Sequence, residues 1–149
     1  MSTHPHAPSG RPARLLLALT GALFGLLVLN LAVFDDLRTD PLAGVLETFT
    51  KPQHLSSLVA VLIAVALVAF KHRSAARVAA VVAWIEIAAF AFFHVIPVEV
   101  GPSKPYWGDG MGDALQWVGL LSIIAVSAAI VRVARRTPEG AVTPAVAFS

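Results

Sequence analysis

Four long apolar runs decide what this chain can fold into. They cover about residues 15–34, 52–70, 75–96 and 114–133, and polar segments separate them. About 20 helical residues match the roughly 30 Å hydrocarbon core of a bilayer, because each residue adds about 1.5 Å. Only 13% of the 149 residues are charged, against about 25% in a soluble domain. The sequence therefore predicts an all-α membrane protein, a bundle of four antiparallel transmembrane helices.

The segments outside these runs predict tails and connections. Residues 1–13 and 135–149 are expected to be flexible cytoplasmic tails on a membrane domain of residues 14–134. The turn between the second and third runs is very short, so these two helices should form an antiparallel hairpin, with Ser74 capping the third helix. The first run ends without a signal-peptide cleavage site, which predicts that it is retained as a span.

The basic residues predict the orientation in the membrane. Eight of the eleven Lys and Arg residues lie on the side that would carry both termini and the 71–77 turn. The positive-inside rule makes this side cytoplasmic, so we expect a multi-pass protein of the cell membrane. Seven of the nine acidic residues lie on the opposite side, where their potential would attract cations. The eight basic residues are Arg11, Arg14, Lys71, Arg73, Arg77, Arg132, Arg135 and Arg136.

Several classes of chemistry are excluded by composition. The chain contains no cysteine, which excludes thiolate nucleophiles, disulfide exchange, iron–sulfur clusters and Cys-ligated zinc. The basic residues form no compact patch, so nucleic acid is not an expected partner. There is no phosphate-binding loop, nucleophile elbow or His-Glu-x-x-His motif. The sequence therefore leaves open whether the protein is an enzyme and whether it carries a cofactor.

Glu86 is the residue that most strongly indicates a site. It lies near the middle of the third run, about 15 Å from either interface. An acidic side chain there costs roughly 2.5–3.5 kcal/mol on insertion scales, so Glu86 should face the bundle interior and find a partner. It is a candidate proton carrier or cation ligand. The alternative is a carboxyl group that is hydrogen-bonded to its neighbours for packing alone.

Each run also carries one polar side chain in its outer half. His94 lies eight residues beyond Glu86 and about 80° around the helix, so both could line one cavity. The short hairpin turn is expected to bring His54 to a similar depth. These side chains are expected to form a substrate-binding or ion-binding pocket that opens to the outside above Glu86. The members of this outer ring are Asn30, His54, His94 and Gln116.

The segment from 97 to 113 is expected to form a shaped loop or lid, because it combines prolines and glycines with aromatic and acidic side chains. The alternative is an aromatic anchor at the headgroup level with a helix cap. The residues concerned are Tyr106, Trp107, Asp109 and Asp113. Facing histidines could ligate haem or a transition metal, but no second-shell partner is predictable for them, so no metal site is assigned.

Small residues form a stripe on the first run. Gly21 and Gly25 make a G-x-x-x-G step, with Ala18 and Ala22 alongside. Such a step lets another helix approach closely enough for backbone packing. A helix contact within the bundle is the expected use, rather than a dedicated dimer interface.

Three hypotheses for function follow. The leading one is a small integral membrane protein that binds or conducts a small solute or cation through the outer-half cavity, with lipid and a homo-oligomer or a larger membrane complex as partners. The second is an accessory or assembly subunit of such a complex, in which Glu86 joins helices. The third is a membrane-embedded enzyme acting on a lipid or isoprenoid, with His94 and Glu86 as an acid/base pair.

Overall fold

Four helices make up the part of the chain that the structure, a computed structural model, describes: residues 11–34, 52–95 and 114–137. Within these ranges the protein is all-helical, as predicted. The helices are α1 (Arg11–Phe34), α2 (Pro52–Ala69), α3 (Ala75–His94) and α4 (Ala114–Ala134).

Three of these helices are long and apolar enough to cross a membrane. The stretches that qualify are Arg11–Asn30 in α1, Ala75–His94 in α3 and Gln116–Ala134 in α4. The apolar stretch of α2, His54–Ala69, is shorter. The structure thus supports a helical membrane protein with three candidate spans, one fewer than the sequence predicts.

The helix boundaries differ from the predicted spans by a few residues. α4 begins at the predicted residue and ends one residue later, and α3 ends at His94, two residues early. α1 begins at Arg11, within the segment expected to be a flexible tail. Pro12 is compatible with this start, because the first turn of a helix does not need its missing N–H group.

The helices pack as a ring. α1 contacts α2 and α4, and α3 contacts α2 and α4, so α1 and α3 lie on one diagonal. Buried positions recur every three or four residues, as in Leu16, Thr20, Leu23 and Leu27 of α1. The buried stripe of α3 is mostly alanine, which permits a close approach to its neighbours.

The outside of the ring is as apolar as its inside. Only 22–33% of each candidate span is buried, and large side chains such as Leu29, Leu62 and Trp84 are more than half exposed. In water such a surface would be strongly unfavourable, whereas hydrocarbon solvates it. The exposed apolar surface therefore agrees with a bilayer as the solvent.

A tight turn joins α2 to α3. Lys71 adopts a left-handed conformation with φ of 54°, and the His72 N–H donates to the Leu67 carbonyl at 2.9 Å. The Lys71 N–H also donates to the Val68 carbonyl at 3.1 Å. Together the two hydrogen bonds form a Schellman motif, which ends α2. Ser74 occupies the N-cap position of α3, but its side chain makes no capping hydrogen bond. Its hydroxyl lies 2.7 Å from His72 Nδ1 instead, which corrects the predicted cap.

Candidate functional site

The Glu86 side chain lies inside the bundle. Only 2% of the residue is exposed, and it continues the buried stripe of α3 formed by Ala79, Val82 and Ala83. It is the only acidic residue within the described ranges. The expectation that this carboxyl group avoids the acyl chains is therefore met.

Glu86 is hydrogen-bonded to a residue on the neighbouring helix. Ser57 Oγ on α2 donates to Glu86 Oε1 at 2.6 Å. Ser57 is absent from the sequence-predicted site, although the hairpin contains a signal for it. Counted from His72 in the turn, Ser57 lies fifteen residues back and Glu86 fourteen residues forward. Equal distances from a tight turn place residues at one level of an antiparallel pair.

Each of the four helices carries a buried or half-buried polar side chain near the middle of the bundle. These residues are Thr20, Ser57, Glu86 and Ser127. At about 1.5 Å per residue, they lie about 11–18 Å from the helix ends expected to be cytoplasmic. This middle layer was not predicted, because single hydroxyl groups in an apolar run are a weak signal.

The hydroxyl groups in this middle layer differ in how they are satisfied. The Thr20 hydroxyl lies 3.0 Å from the Leu16 carbonyl of its own helix. Ser127 is fully buried, and its Oγ has no hydrogen-bond partner among the described residues. A buried polar atom without a partner suggests a place for water or a ligand.

The predicted outer ring lies partly inside the bundle. Asn30, His54, His94 and Gln116 are all half-buried. The Asn30 Oδ1 atom is buried with no hydrogen-bond partner within the described part of the chain. The His94 ring lies 5.6 Å from the ring of Phe90, one turn earlier on α3.

The Ser57–Glu86 contact also indicates the offset between the two histidines of the outer ring. The pairing of Ser57 with Glu86 places His54 level with Ala89. His94 lies five residues further along α3, which is about 7 Å along the helix axis. The similar depth expected for His54 and His94 stays a prediction.

The residues of the predicted lid, Tyr106, Trp107, Asp109 and Asp113, lie outside the described residues. Among the residues that are described, no group of three or more His, Asp or Glu side chains could hold a metal ion. One carboxyl group and one hydroxyl group offer too few oxygen atoms for Ca²⁺, which takes about 6–8 ligands. They could hold a proton or take part in a weak monovalent cation site.

The small residues of α1 face outward. Ala18, Gly21, Ala22 and Gly25 are all exposed, and a Cβ atom added at either glycine would meet nothing within 4 Å. The expected helix contact within the bundle is therefore wrong. The bundle buries the neighbouring stripe of Leu16, Leu23 and Leu27 instead, because larger side chains fill the core better.

Comparison of this chain with protein-family models, curated protein sequences and solved structures found no match. The function must therefore be inferred from the geometry of the site itself.

Proposed function

We propose that this is a four-span protein of the cell membrane, with both termini cytoplasmic, that binds or conducts a small solute or cation. Glu86 is the binding group and Ser57 orients it. The outer ring, including Asn30 and His94, forms the access route. The observation that carries the proposal is a carboxyl group buried to 2% exposure between membrane helices, where an ionisable residue is costly and often functional.

Two further observations support an interior path. The buried atoms Asn30 Oδ1 and Ser127 Oγ have no partner among the described residues. Asn30 lies in the outer part of α1 and Ser127 belongs to the middle layer, so these polar atoms lie at two different depths of the bundle. Water or a hydrated ion would supply the missing hydrogen bonds.

The short second helix is part of this proposal. At about 1.5 Å per residue, the 18 residues of α2 span about 27 Å, close to the thickness of the hydrocarbon core. Ser57 belongs to the same hairpin as Glu86, so α2 must accompany α3 across the membrane to keep this contact. The cytoplasmic orientation rests on the basic residues at the helix ends, including Arg73 and Arg135.

Flux through liposomes tests the proposal. The purified chain is reconstituted, and proton and Na⁺ fluxes are measured with ion-sensitive dyes under an imposed potential. We expect flux above that of empty liposomes, loss of flux in Glu86→Gln, and reduced flux in Ser57→Ala. Ser56→Ala is the matched control, because Ser56 is exposed and adjacent. Equal flux in the wild type and Glu86→Gln would contradict the proposal and leave Glu86 as a link between helices.

A second candidate function, assembly with another membrane chain, is favoured by the outward-facing small residues of α1. Gly21 and Gly25 have open space beside them, so a second helix could approach the α1 backbone closely. Gly25→Leu should lower self-association in liposomes, measured by energy transfer between labelled chains. Ala88→Leu, on an exposed face of α3, is the control. Unchanged energy transfer in Gly25→Leu would count against self-association through this stripe.

The enzyme hypothesis has no comparable support. Glu86 and His94 are eight residues apart on one helix, about 12 Å along its axis. The Glu86 carboxyl group accepts a hydrogen bond from Ser57 on α2, whereas the His94 ring lies against Phe90 of its own helix.

A further inference from the structure

A groove of about 290 Å³ opens between α3 and α4, away from the Glu86 site. One part of it is an apolar wall, formed by Trp84, Ile87, Ala128 and Val131. The other part is an arginine cluster at the C-terminal end of α4, formed by Arg132, Arg135 and Arg136. The groove is therefore amphipathic along its length.

The order of residues along α4 gives the groove a direction. Ala128 lies deepest in the span and Arg136 lies just beyond the last helical residue, Ala134. Ala128 and Arg136 are about 12 Å apart along α4 at 1.5 Å per residue, and the change from apolar wall to arginine cluster falls between Val131 and Arg132. Trp84 of α3 is 52% exposed and adds a large apolar surface to the wall. A ligand that fits must be apolar at its deep end and anionic at the membrane edge.

The arginine cluster concentrates positive charge on one face of α4. Arg135 and Arg136 follow Arg132 by three and four residues and all three are exposed, so their like charges repel. The only carboxyl group within the described ranges is that of Glu86, which is buried and bonded to Ser57. The positive-inside rule explains arginines at this end of the helix, but it does not explain why they line a groove.

We propose that this groove binds an anionic phospholipid. The guanidinium groups of the arginine cluster hold the phosphate, since they offer paired N–H donors that match its oxygen atoms. One acyl chain lies on the apolar wall. Basic pockets between membrane helices are suited to such headgroups. This proposal does not depend on the role of Glu86.

Lipid binding to the full chain in a nonionic detergent tests the proposal by native mass spectrometry. The probes are phosphatidylglycerol and phosphatidylcholine with the same acyl chains. We expect the wild type to prefer phosphatidylglycerol. Each Arg→Gln substitution in the cluster should weaken phosphatidylglycerol binding about fivefold, and the triple substitution about a hundredfold. Arg73→Gln is the control, because this exposed arginine lies in the hairpin turn outside the groove.

A second pair of variants tests the apolar wall with all charges intact. Ala128→Leu fills the groove, whereas Ala125→Leu adds the same atoms to an exposed part of α4 outside it. We expect phosphatidylglycerol binding to weaken only in Ala128→Leu. The proposal is overturned if the triple arginine variant keeps the preference for phosphatidylglycerol. It is also overturned if Arg73→Gln weakens binding as much as Arg135→Gln, or if the two leucine variants bind alike.

Discussion

The middle of the bundle and the arginine-lined groove differ in whether their ionisable side chains are buried and hydrogen-bonded within the protein or exposed. Glu86 is buried to 2% exposure and receives a hydrogen bond from Ser57 on the next helix. Arg132, Arg135 and Arg136 are exposed at the end of α4. A charge in the interior must be satisfied by the protein, whereas a charge at the edge is left for lipid or water. Removing the interior pair should therefore cost stability, whereas removing an edge arginine should leave stability nearly unchanged.

The largest expected effect comes from a carboxyl group placed in the interior without a prepared partner. Ile123 of α4 is fully buried, and Ile123→Glu should lower the free energy of unfolding by about 3 kcal/mol, the cost of an unpaired acidic residue in a membrane helix. Unfolding in mixed micelles measures the change. Ile123→Leu conserves volume and should cost less than about 1.5 kcal/mol. A stable Ile123→Glu variant would show that the interior accepts charge without a partner.

Lys71 in the hairpin turn is a charged residue at the membrane edge, and its backbone conformation, rather than its charge, should affect stability. Lys71 has a φ of 54°, a conformation that costs a non-glycine residue roughly 1–2 kcal/mol. Lys71→Gly should therefore raise the free energy of unfolding by about 1 kcal/mol. Lys71→Ala removes the same charge without relieving the backbone, and it should give no such gain. Equal gains in both variants would assign the effect to charge.

Removing the donor to Glu86 should cost less than adding a second carboxyl group. Ser57→Ala is expected to lower the free energy of unfolding by about 1 kcal/mol, the usual range for a hydrogen bond between membrane helices. The same micelle assay applies. If Ser57→Ala costs as much in a Glu86→Ala background, the contact with Glu86 does not stabilise the hairpin.

The smallest expected change in stability is at the arginine cluster. Arg135→Gln should change the free energy of unfolding by about 0.5 kcal/mol or less, the scale of a favourable charge near a helix C-terminus. Thermal unfolding in a neutral detergent measures it. A loss as large as that of Ser57→Ala would mean that the arginine cluster supports the fold rather than a ligand.

Hydropathy predicted the four helices well, because apolar length is the main requirement for crossing a bilayer. The end of α4 was predicted to within one residue. The start of α1 was not, because the proline-rich beginning of the chain was interpreted as unable to form a helix. Pro12 stands in the first turn, the one part of a helix that accepts proline without loss.

The site was predicted less completely than the fold. The burial of Glu86 follows from the cost of charge in lipid, so the sequence was sufficient to predict it. Its partner Ser57 follows from the register of the hairpin, which composition does not reveal. The outward direction of Gly21 and Gly25 depends on which face of α1 packs into the core. Every face of this helix is apolar, so the sequence alone does not identify the buried one.

The tight turn at Lys71 has a consequence for how the protein reaches the membrane. Ser57 and Glu86 lie on the two arms of one hairpin, so the carboxyl group obtains its hydrogen-bond donor without any contribution from α1 or α4. A hairpin that enters the bilayer as a unit carries its acidic residue already paired. Pairing of this carboxyl group therefore needs only the two helices that the Lys71 turn joins.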